Sequence, residues 1–477
     1  MLDDNKYMRV LEYFNKLITP TIKEQKKRGE VFTSLKLVDE MLDKFPKKVW
    51  KNPYLKWLDP ANGIGNFPVH IFMRLMESLK NFKDEKLDLT DEEDRRKHIL
   101  EKMIYVAELD KKNCFLYKIL LGYRGRYKLN IYNGNSLLED FDNYMINEWR
   151  ITKFDIVLGN PPYNKGGETG DNNPYIRFTH KYTRLIKDDT GLLLFITPKG
   201  ILPYLVGKEK NRDYVDEFYQ IKYLAIDTPV HYFKNVSSTF TYFLLQKKKY
   251  EEKTEVEYLD TNGQKKNTSI MLKLGQNIPT IPEEIVINIM SKLTTDDEKL
   301  QWKYLNPQYK FIKKGKISFK NRRIRKKQRE DGTIDKKKSE KYKFPLIDNY
   351  GIKNPFPGTY YYYTKQMENI NEKKVIISKG GYINATFDKG GEWNYTDNFQ
   401  YILVKSEEEG NSLVKLLNSK LPNFLITQLS CNGYDRINIV NKLKRVNLTN
   451  NDNIISFCKK YNLTKEEIDY SYSNREI

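Results

Sequence analysis

Four residues at the end of an apolar run form a rigid set of hydrogen-bond acceptors. Asn160, Pro161, Pro162 and Tyr163 follow the run FDIVLG at 154–159, which has the length and composition of a buried strand. Two successive prolines remove two backbone N–H donors and fix two φ angles. The corner therefore presents carbonyl oxygens, one side-chain amide and one aromatic ring, whereas a simple turn needs only Asn-Gly or Pro-Gly.

A glycine-containing loop, DPANGIGNF at 59–67, lies between the apolar run LKWLD and a helical pattern that begins near residue 68. Glycines at a strand-to-helix turn let a ligand approach the backbone, and the helix N-terminus then faces that ligand. The third glycine of the dinucleotide fingerprint is missing, which argues against a pyrophosphate ligand and leaves open a nucleoside without one. A tight turn that binds nothing is the alternative.

Glu108, in YVAELD, stands at the end of the next predicted strand, MIYVAEL at 103–109. A carboxylate at such a strand end can accept hydrogen bonds from both hydroxyls of a ribose. It follows the glycine loop by about fifty residues, compared with about 20 in the dinucleotide pattern. The charged insertion at 81–98 accounts for the extra length. Asp110 is the alternative acid, and an ordinary surface carboxylate is the alternative interpretation.

Strand-like and helix-like segments alternate through the first half of the chain. Besides the runs already named, strands are predicted at 129–134, 191–198, 221–227 and 240–246, and a helix at 175–187. This alternation predicts an α/β fold with a doubly wound, mostly parallel, Rossmann-like sheet and helices on both faces. The continuous apolar runs fit strands that are covered on both sides.

The sequence predicts three parts. Residues 1–250 are expected to hold an N-terminal helical segment and the α/β domain, 251–300 a connecting segment, and 301–477 a basic, mixed α+β domain. Helical patterns in the later parts lie at 280–293 and 406–421. Thr464 and Glu467 have the spacing of a capping box and predict a C-terminal helix.

Positive charge is concentrated in one stretch of the second half. The whole chain carries a formal charge of +20, and residues 310–343 contain sixteen Lys or Arg and four Asp or Glu, a difference of 16 − 4 = +12. This focus favours a polyanionic partner, most simply nucleic acid, over a composition bias of the genome. A solvated basic loop is the alternative.

Cysteine and histidine usage argues against several classes of site. The three cysteines, Cys114, Cys431 and Cys458, have no paired spacing, so neither a disulfide framework nor a zinc site is expected. The amphipathic N-terminus lacks the apolar core of a signal peptide. The longest apolar runs have strand length, too short to span a bilayer. We expect a soluble cytoplasmic protein without a metal ion.

In this order, DPANGIGNF, VAELD and NPPY resemble the motifs of the amino-methyltransferases that act on DNA adenine. The pattern of that family is DPxxGxGxF for S-adenosylmethionine and NPPY or NPPF for the target amino group. Upstream, GEVFTSLKLVDEML at 29–42 is similar to the family's N-terminal GxxYTP-like cofactor motif, with Phe32-Thr33-Ser34 at its centre. The motif order is that of the gamma group of restriction-modification enzymes and their viral relatives. The resemblance covers about 20–250 and, more loosely, the region beyond 370.

The resemblance implies base flipping and methyl transfer from S-adenosylmethionine to N6 of adenine in double-stranded DNA. The Asn160 side-chain oxygen and the Pro161 carbonyl would accept hydrogen bonds from the amino group and direct its lone pair at the sulfonium methyl group. Covalent chemistry at carbon 5 of cytosine is not supported, because no cysteine lies near this corner. Cofactor contacts are implied for Phe32, Thr33, Asp59, Pro60, Ala61, Gly63, Gly65, Phe67, Glu108, Asn135 and Asn160.

One implied contact departs from the family pattern, and for another the sequence leaves two candidate residues. Asn135 stands where the family usually has an Asp that contacts the cofactor adenine, and an amide can still accept a bond from the ring amino group. Tyr163 would stack on the flipped base, with Phe240 or Phe243 as a second wall. Strand alternation places these two phenylalanines on opposite faces, so at most one serves.

The second half is expected to read DNA as a target-recognition domain. Within its basic stretch, we expect phosphate contacts from Lys320, Arg322, Arg323, Arg325, Lys326 and Lys327. A separate restriction endonuclease is a candidate partner. For the oligomeric state of this chain, we favour a monomer. The sequence shows no nuclease motif.

Other functions share parts of this pattern. NPPY also occurs in enzymes that methylate cytosine N4, guanine in RNA, or a glutamine amide of release factors, although the last have no large basic C-terminal half. A non-catalytic DNA-binding modification subunit would keep the fold without the reaction. The intact Asn160–Tyr163 corner argues against that alternative.

Overall fold

A computed structural model of the chain divides into two compact units, Met1–Ile278 and Pro279–Ile477. The structure describes the following residues: 9–13, 33–122, 125–163, 173–206, 219–227, 232, 239–249, 251–272, 278–294, 303–304, 334–335, 344–347, 360–363, 370–378, 383–390, 394–395, 399–429, 440, 442–444, 446–449 and 451–473.

A nine-stranded sheet forms the centre of the first unit, in the order β3-β2-β1-β4-β5-β7-β6-β8-β9. Strands β1 to β5 are mutually parallel, and β7 runs antiparallel to both of its neighbours, β5 and β6. The strands are β1 Trp57–Asp59, β2 Ile104–Glu108, β3 Asn130–Asn133, β4 Ile156–Gly159, β5 Leu192–Pro198, β6 Gln220–Ile226, β7 Phe240–Gln246, β8 Thr254–Leu259 and β9 Lys265–Ile270.

The helices of this unit lie before β1, between the parallel strands and after β5. They are α1 Leu35–Leu42, α2 Lys47–Trp50, α3 Asn66–Ser78, α4 Glu92–His98, α5 Lys111–Leu121, α6 Glu139–Asn147, α7 Pro174–Leu185 and α8 Leu202–Leu205. Local chemistry explains where several begin: the Ser34 side chain caps α1, Asp110 caps α5, and Pro174 occupies the first turn of α7. In the described part of the chain, no helix is long and apolar enough to cross a membrane.

The central strands are buried along almost their whole length. Every residue of β2 and β4 is buried, as are all but the last residue of β5 and of β7. Helices α1 and α3 cover one face over Trp57, and Phe45 packs edge-on against Trp57. The predicted doubly wound α/β fold is therefore confirmed, and the continuous apolar runs were its signal.

The predicted connecting segment at 251–300 has a different structure. Strands β8 and β9 form a hairpin, and β8 pairs in parallel with β6, so that this part extends the sheet of the first unit. The division between the two units lies after Ile278. The segment is rich in charged and polar residues, exposed mainly in β9, and this composition is that of a connecting segment.

The second unit contains two four-stranded sheets and a group of helices. One sheet has the order β10-β17-β14-β15 and the other β11-β13-β12-β16. The strands are β10 Lys303–Tyr304, β11 Ile334–Asp335, β12 Phe344–Ile347, β13 Tyr360–Tyr363, β14 Lys374–Ser378, β15 Thr386–Asp388, β16 Asn394–Tyr395 and β17 Phe399–Leu403. The helices are α9 Glu284–Leu293, α10 Glu407–Leu417, α11 Lys420–Leu429, α12 Ile454–Lys460 and α13 Lys465–Ser473.

The predicted capping box of the last helix is present. The Glu467 backbone N–H donates to Thr464 Oγ1, and the Thr464 backbone N–H donates to the Glu467 carboxylate. Glu467 also pairs with Lys292 of α9 at 2.7 Å, which ties the first and last helices of the second unit together.

At the end of β4, the backbone of Gly159 lies against the side chain of Asp59 of β1. A Cβ atom added to Gly159 would lie 2.6 Å from Asp59 Oδ1, and Gly159 has a φ of 150°. Both the space and the backbone conformation therefore require glycine at the residue that precedes Asn160.

We predict that Gly159→Ala destabilises the protein by more than its backbone strain alone. Gly263, with a φ of 74° and no atom within 4 Å of an added Cβ, is the matched control. Gly263→Ala is expected to lower the free energy of unfolding by about 1–2 kcal/mol. Gly159→Ala should lower it by about 1–3 kcal/mol more, because it also overpacks the site. Denaturant unfolding measures both, and equal losses would contradict the steric argument.

Candidate active site

The carboxyl ends of β1, β2 and β4 meet at one edge of the sheet. Asp59 pairs in register with Val106 of β2, two residues before Glu108, and Leu58 pairs with Val157 of β4. The loops that follow these adjacent parallel strands therefore lie side by side. Such an edge is where open α/β sheets bind ligands.

The loop after β1 is held by hydrogen bonds to the Asp59 side chain, to β2 and within its own backbone. The Ala61 N–H donates to Asp59 Oδ1 at 3.0 Å, the Asn62 N–H to the Ala107 carbonyl at 3.0 Å, and the Gly65 N–H to the Asn62 carbonyl at 3.0 Å. Gly65 has a φ of 103°, and an added Cβ would lie 2.7 Å from a ring carbon of Tyr117. The loop thus turns into α3 in a conformation that a side chain at Gly65 would prevent.

Glu108 joins the loop after β1 to the end of β2. One carboxylate oxygen, Oε2, accepts from the Gly63 N–H at 2.7 Å, and the other, Oε1, accepts from the Asp110 N–H at 2.7 Å. The side chain is buried, with 8% exposure. Asp110, the alternative acid, accepts from the Lys112 N–H as the cap of α5. The carboxylate at this edge with a fixed position next to the glycine loop is therefore Glu108.

Asp59 lies beneath this loop as a buried carboxyl group. Its pKa is raised to about 8, chiefly by burial and to a smaller extent by the nearby Glu108 charge, while the hydrogen bond from the Ala61 N–H acts in the opposite direction. Oδ2 of Asp59 is buried and has no hydrogen-bond partner among the described residues. The Asp59 carboxyl group, which lies close to the Glu108 carboxylate, is therefore mainly protonated near neutral pH.

Thr33 contacts both the glycine loop and the proline corner. Its carbonyl accepts from Asn66 Nδ2 at 2.9 Å, and its Oγ1 accepts from Asn160 Nδ2 at 3.0 Å. Thr33 is buried, with 4% exposure. Phe32, the other residue expected from this motif, lies outside the described residues.

The proline corner places one ring in the core and one amide at the edge. Tyr163 is buried, and burial raises its pKa well above the usual value, while the side chain of Asn160 acts in the opposite direction. The Tyr163 ring lies 5.4 Å from the Phe240 ring, at an interplanar angle of 43°. Phe240 shares this face of β7 with Tyr242 and Leu244, whereas Phe243 belongs to the opposite face.

Asn135 and its neighbour brace the loop after β3. The Asn135 side-chain oxygen accepts from the Leu137 N–H at 3.1 Å, so part of its acceptor capacity is used within its own turn. The Ser136 hydroxyl donates to the Pro60 carbonyl at 2.7 Å and thereby joins this loop to the glycine loop. Ser136 was not expected from the sequence, because its partner lies 76 residues away.

Two further features at this edge were not predicted from the sequence. Leu109, directly after Glu108, is 70% exposed, an apolar side chain at the end of a buried strand. Lys199, after β5, forms a buried ion pair with Asp227 at 2.7 Å, and its backbone N–H donates to the Thr239 carbonyl. Asp227 has a φ of 61°. The pair holds the ends of β5 and β6 beside the start of β7.

The remaining predicted residues divide into two groups. Pro60 and Ala61 lie in the glycine loop, and Phe67 is buried in the core beneath it. The six residues expected to contact DNA phosphates, Lys320, Arg322, Arg323, Arg325, Lys326 and Lys327, all lie outside the described residues.

The fold is similar to that of solved restriction-modification enzymes. The chain resembles the Type IIL restriction-modification enzyme MmeI in complex with DNA, with a TM-score of 0.52 and 14% identity over 87% of this chain and 68% of that one. A nuclease-deletion mutant of the Type ISP enzyme LlaGI, in complex with a DNA substrate mimic, gives a TM-score of 0.52 and 13% identity over 99% and 56%. At these identities, the likeness shows a shared fold.

The family model of N-6 DNA Methylase matches residues 7–281, more than half of the 477 residues. The chain therefore belongs to the N-6 DNA methylase family, and the resemblance drawn from the DPANGIGNF, VAELD and NPPY motifs is confirmed.

Curated relatives match a part of their own length. An uncharacterized adenine-specific methylase of Mycoplasma pneumoniae is 26% identical over 30% of this chain and 47% of the relative. The modification methylase CviBIII of Paramecium bursaria Chlorella virus NC1A is 27% identical over 41% of this chain and 44% of the relative. The chain thus spans about half the length of these relatives.

The Asp59 carboxyl group gives a testable pH dependence. Its pKa is about 8 in the folded protein and about 3.9 in an unfolded chain, so folding retains a proton there between these values. The resulting stabilisation is complete below about pH 4 and is lost as the pH rises to about 8. Between about pH 5 and pH 8, the wild type should lose up to about 4 kcal/mol relative to Asp59→Asn, at 1.36 kcal/mol per pH unit. Denaturant unfolding at both pH values measures this difference, and parallel pH profiles would contradict it.

Proposed function

We propose that the chain transfers a methyl group from S-adenosylmethionine to the N6 amino group of adenine in double-stranded DNA. The observation that carries this proposal is the contact of Thr33 with both Asn66, directly after the glycine loop, and Asn160 of the NPPY corner. A nucleoside-binding loop and a set of amino-group acceptors are thereby held at one edge of the sheet.

The residues present fit S-adenosylmethionine. Glu108 Oε2 accepts from the Gly63 N–H, and Oε1 accepts from the Asp110 N–H and, at 3.5 Å, from Asn113 Nδ2. These contacts fix a carboxylate at the end of β2, where such a group can accept from ribose hydroxyls. The exposed Leu109 side chain offers an apolar surface beside that ribose position for an adenine ring. When bound, S-adenosylmethionine supplies an electrophilic methyl group on a sulfonium.

At the corner, the chain's own part in the reaction is to orient the target nitrogen. The lone pair of adenine N6 is delocalised into the ring, which makes the amino group a poor nucleophile. The Asn160 side-chain oxygen and the Pro161 carbonyl accept its two hydrogens and draw the nitrogen toward tetrahedral geometry. This positioning needs no covalent intermediate, and Pro161 and Pro162 contribute no competing N–H donors.

Base flipping is the expected route for the adenine to reach this corner. Tyr163 would stack on the flipped base. Phe240, which lies against Tyr163, has a better position than Phe243 to support that ring, since Phe243 is on the other face of β7. The role of Phe240 would then be to hold Tyr163 rather than to contact the base itself.

DNA recognition is assigned to the second unit together with its basic stretch. Sixteen Lys and Arg within 310–343 supply the positive charge that phosphate contacts require. The MmeI and LlaGI structures named above contain DNA or a DNA mimic, which supports a DNA partner for this chain as well. A separate restriction endonuclease would complete a restriction-modification pair, and a monomer would suffice for the reaction.

Methyl transfer to unmethylated double-stranded DNA tests the proposal. Labelled S-adenosylmethionine is incubated with DNA, and the DNA is then digested to nucleosides. We predict label in N6-methyladenine, and a loss of at least about 100-fold in Asn160→Ala, because a fixed polar contact to the reacting group is removed. The control variant is Asn267→Ala, an exposed asparagine of β9, which should keep full activity.

Each other outcome assigns a different function. Label in N4-methylcytosine would keep the mechanism and change the base. Transfer to RNA but not to DNA would change the substrate class. S-adenosylmethionine binding without any transfer would contradict the catalytic proposal and indicate a non-catalytic modification subunit.

A further inference from the structure

Thr33 and Asn66 make a buried polar chain that ends at Asn160. Asn66 is the first residue of α3, directly after Gly65, and its Nδ2 donates to the Thr33 carbonyl at 2.9 Å. Asn160 Nδ2 donates to Thr33 Oγ1 at 3.0 Å. Thr33 and Asn66 are 4% and 6% exposed, so water competes little for these bonds.

We propose that Asn66 and Thr33 are positioning residues that align the Asn160 amide with the glycine loop, an inference that rests on the proposed function. Thr33 acts through its hydroxyl, and Asn66 acts by holding the Thr33 backbone. Neither residue needs to touch the target base.

The chemistry of an amide explains why Asn160 requires such support. An asparagine side chain has one donor end and one acceptor end, and rotation about its last bond exchanges them. The bond to Thr33 engages Nδ2, the donor end. Oδ1, at the other end of the amide, is the acceptor that the proposed reaction needs. A rotation of the amide would misdirect this acceptor without any change in the fold.

The same contacts connect the two ligand sites. Asn66 directly follows Gly65 in the glycine loop, so its bond to the Thr33 carbonyl couples the position of Thr33 to that of the loop. The separations in sequence are 33 residues between Asn66 and Thr33 and 127 residues between Asn160 and Thr33. The three segments that bring these residues together are thus joined by side chains rather than by the course of the chain.

Single substitutions separate this role from a simple cofactor contact. Thr33→Val keeps the shape and removes the hydroxyl, and we expect kcat to fall about tenfold with KM for S-adenosylmethionine changed by less than about threefold. Thr33→Ser retains the hydroxyl and should restore most of kcat. A rise in KM with unchanged kcat, or equal losses in both variants, would overturn the proposal.

Double-mutant cycles test the chain of contacts directly. The double variant Thr33→Val/Asn66→Ala should lose about as much kcat as the worse of the two single variants. Both substitutions interrupt the same chain of contacts from Asn66 through Thr33 to Asn160, so their effects do not add. If Thr33→Val does not fold, Asn66→Ala alone must still lower kcat. Additive losses would show independent roles and contradict the proposal while leaving the proposed function intact.

A stability cycle provides a readout that does not depend on activity. Thr33→Val and Asn160→Ala are each expected to lower the unfolding midpoint, and the double variant should lower it by less than the sum. If the wild type transfers no methyl group to DNA, the proposed function fails, and this cycle still decides whether the contact is energetically real. Additive shifts would refute the contact.

Discussion

The close approach of Asp59 to Gly159 is the constraint on which the rest of the active-site edge depends. Because β1 and β4 are adjacent and parallel, the loops that follow them begin at the same point of the sheet. Asp59 Oδ1 occupies the space that a Cβ of Gly159 would need, so the loop after β1 and the proline corner pack directly against each other. A side chain at the residue before Asn160 would therefore push the glycine loop and the proline corner apart.

Buried polar groups then hold this edge in one conformation. Glu108 joins the ends of β1 and β2 through two backbone N–H groups, Ser136 adds the loop after β3, and Thr33 adds the segment before α1. Each of these groups would be costly to bury without its partner. These contacts therefore depend on one another, because the loss of one leaves a buried acceptor or donor at this edge without its hydrogen-bond partner. Such rigidity is what positioning catalysis requires.

Much of the first unit was predictable because its central strands are buried, so β4, β5 and β7 are predominantly apolar. The antiparallel direction of β7 was not predictable, because a run of apolar side chains carries no information on strand direction. The sequence predicts a connecting segment where the hairpin of β8 and β9 extends the sheet, because the residues of β9 are mostly polar and exposed. The motifs located Glu108 and Asn160, but the Thr33 and Ser136 contacts join residues 127 and 76 positions apart and follow only from the folded chain.

A structure with a non-transferable S-adenosylmethionine analogue and a DNA duplex bound together would show whether the glycine loop and the proline corner serve one reaction. We expect the ribose of the analogue to contact Glu108, and a flipped adenine to lie on Tyr163 with N6 about 3–3.5 Å from the transferring group, between Asn160 and the Pro161 carbonyl. An analogue bound away from the glycine loop, or a base whose amino group faces neither acceptor, would contradict this expectation.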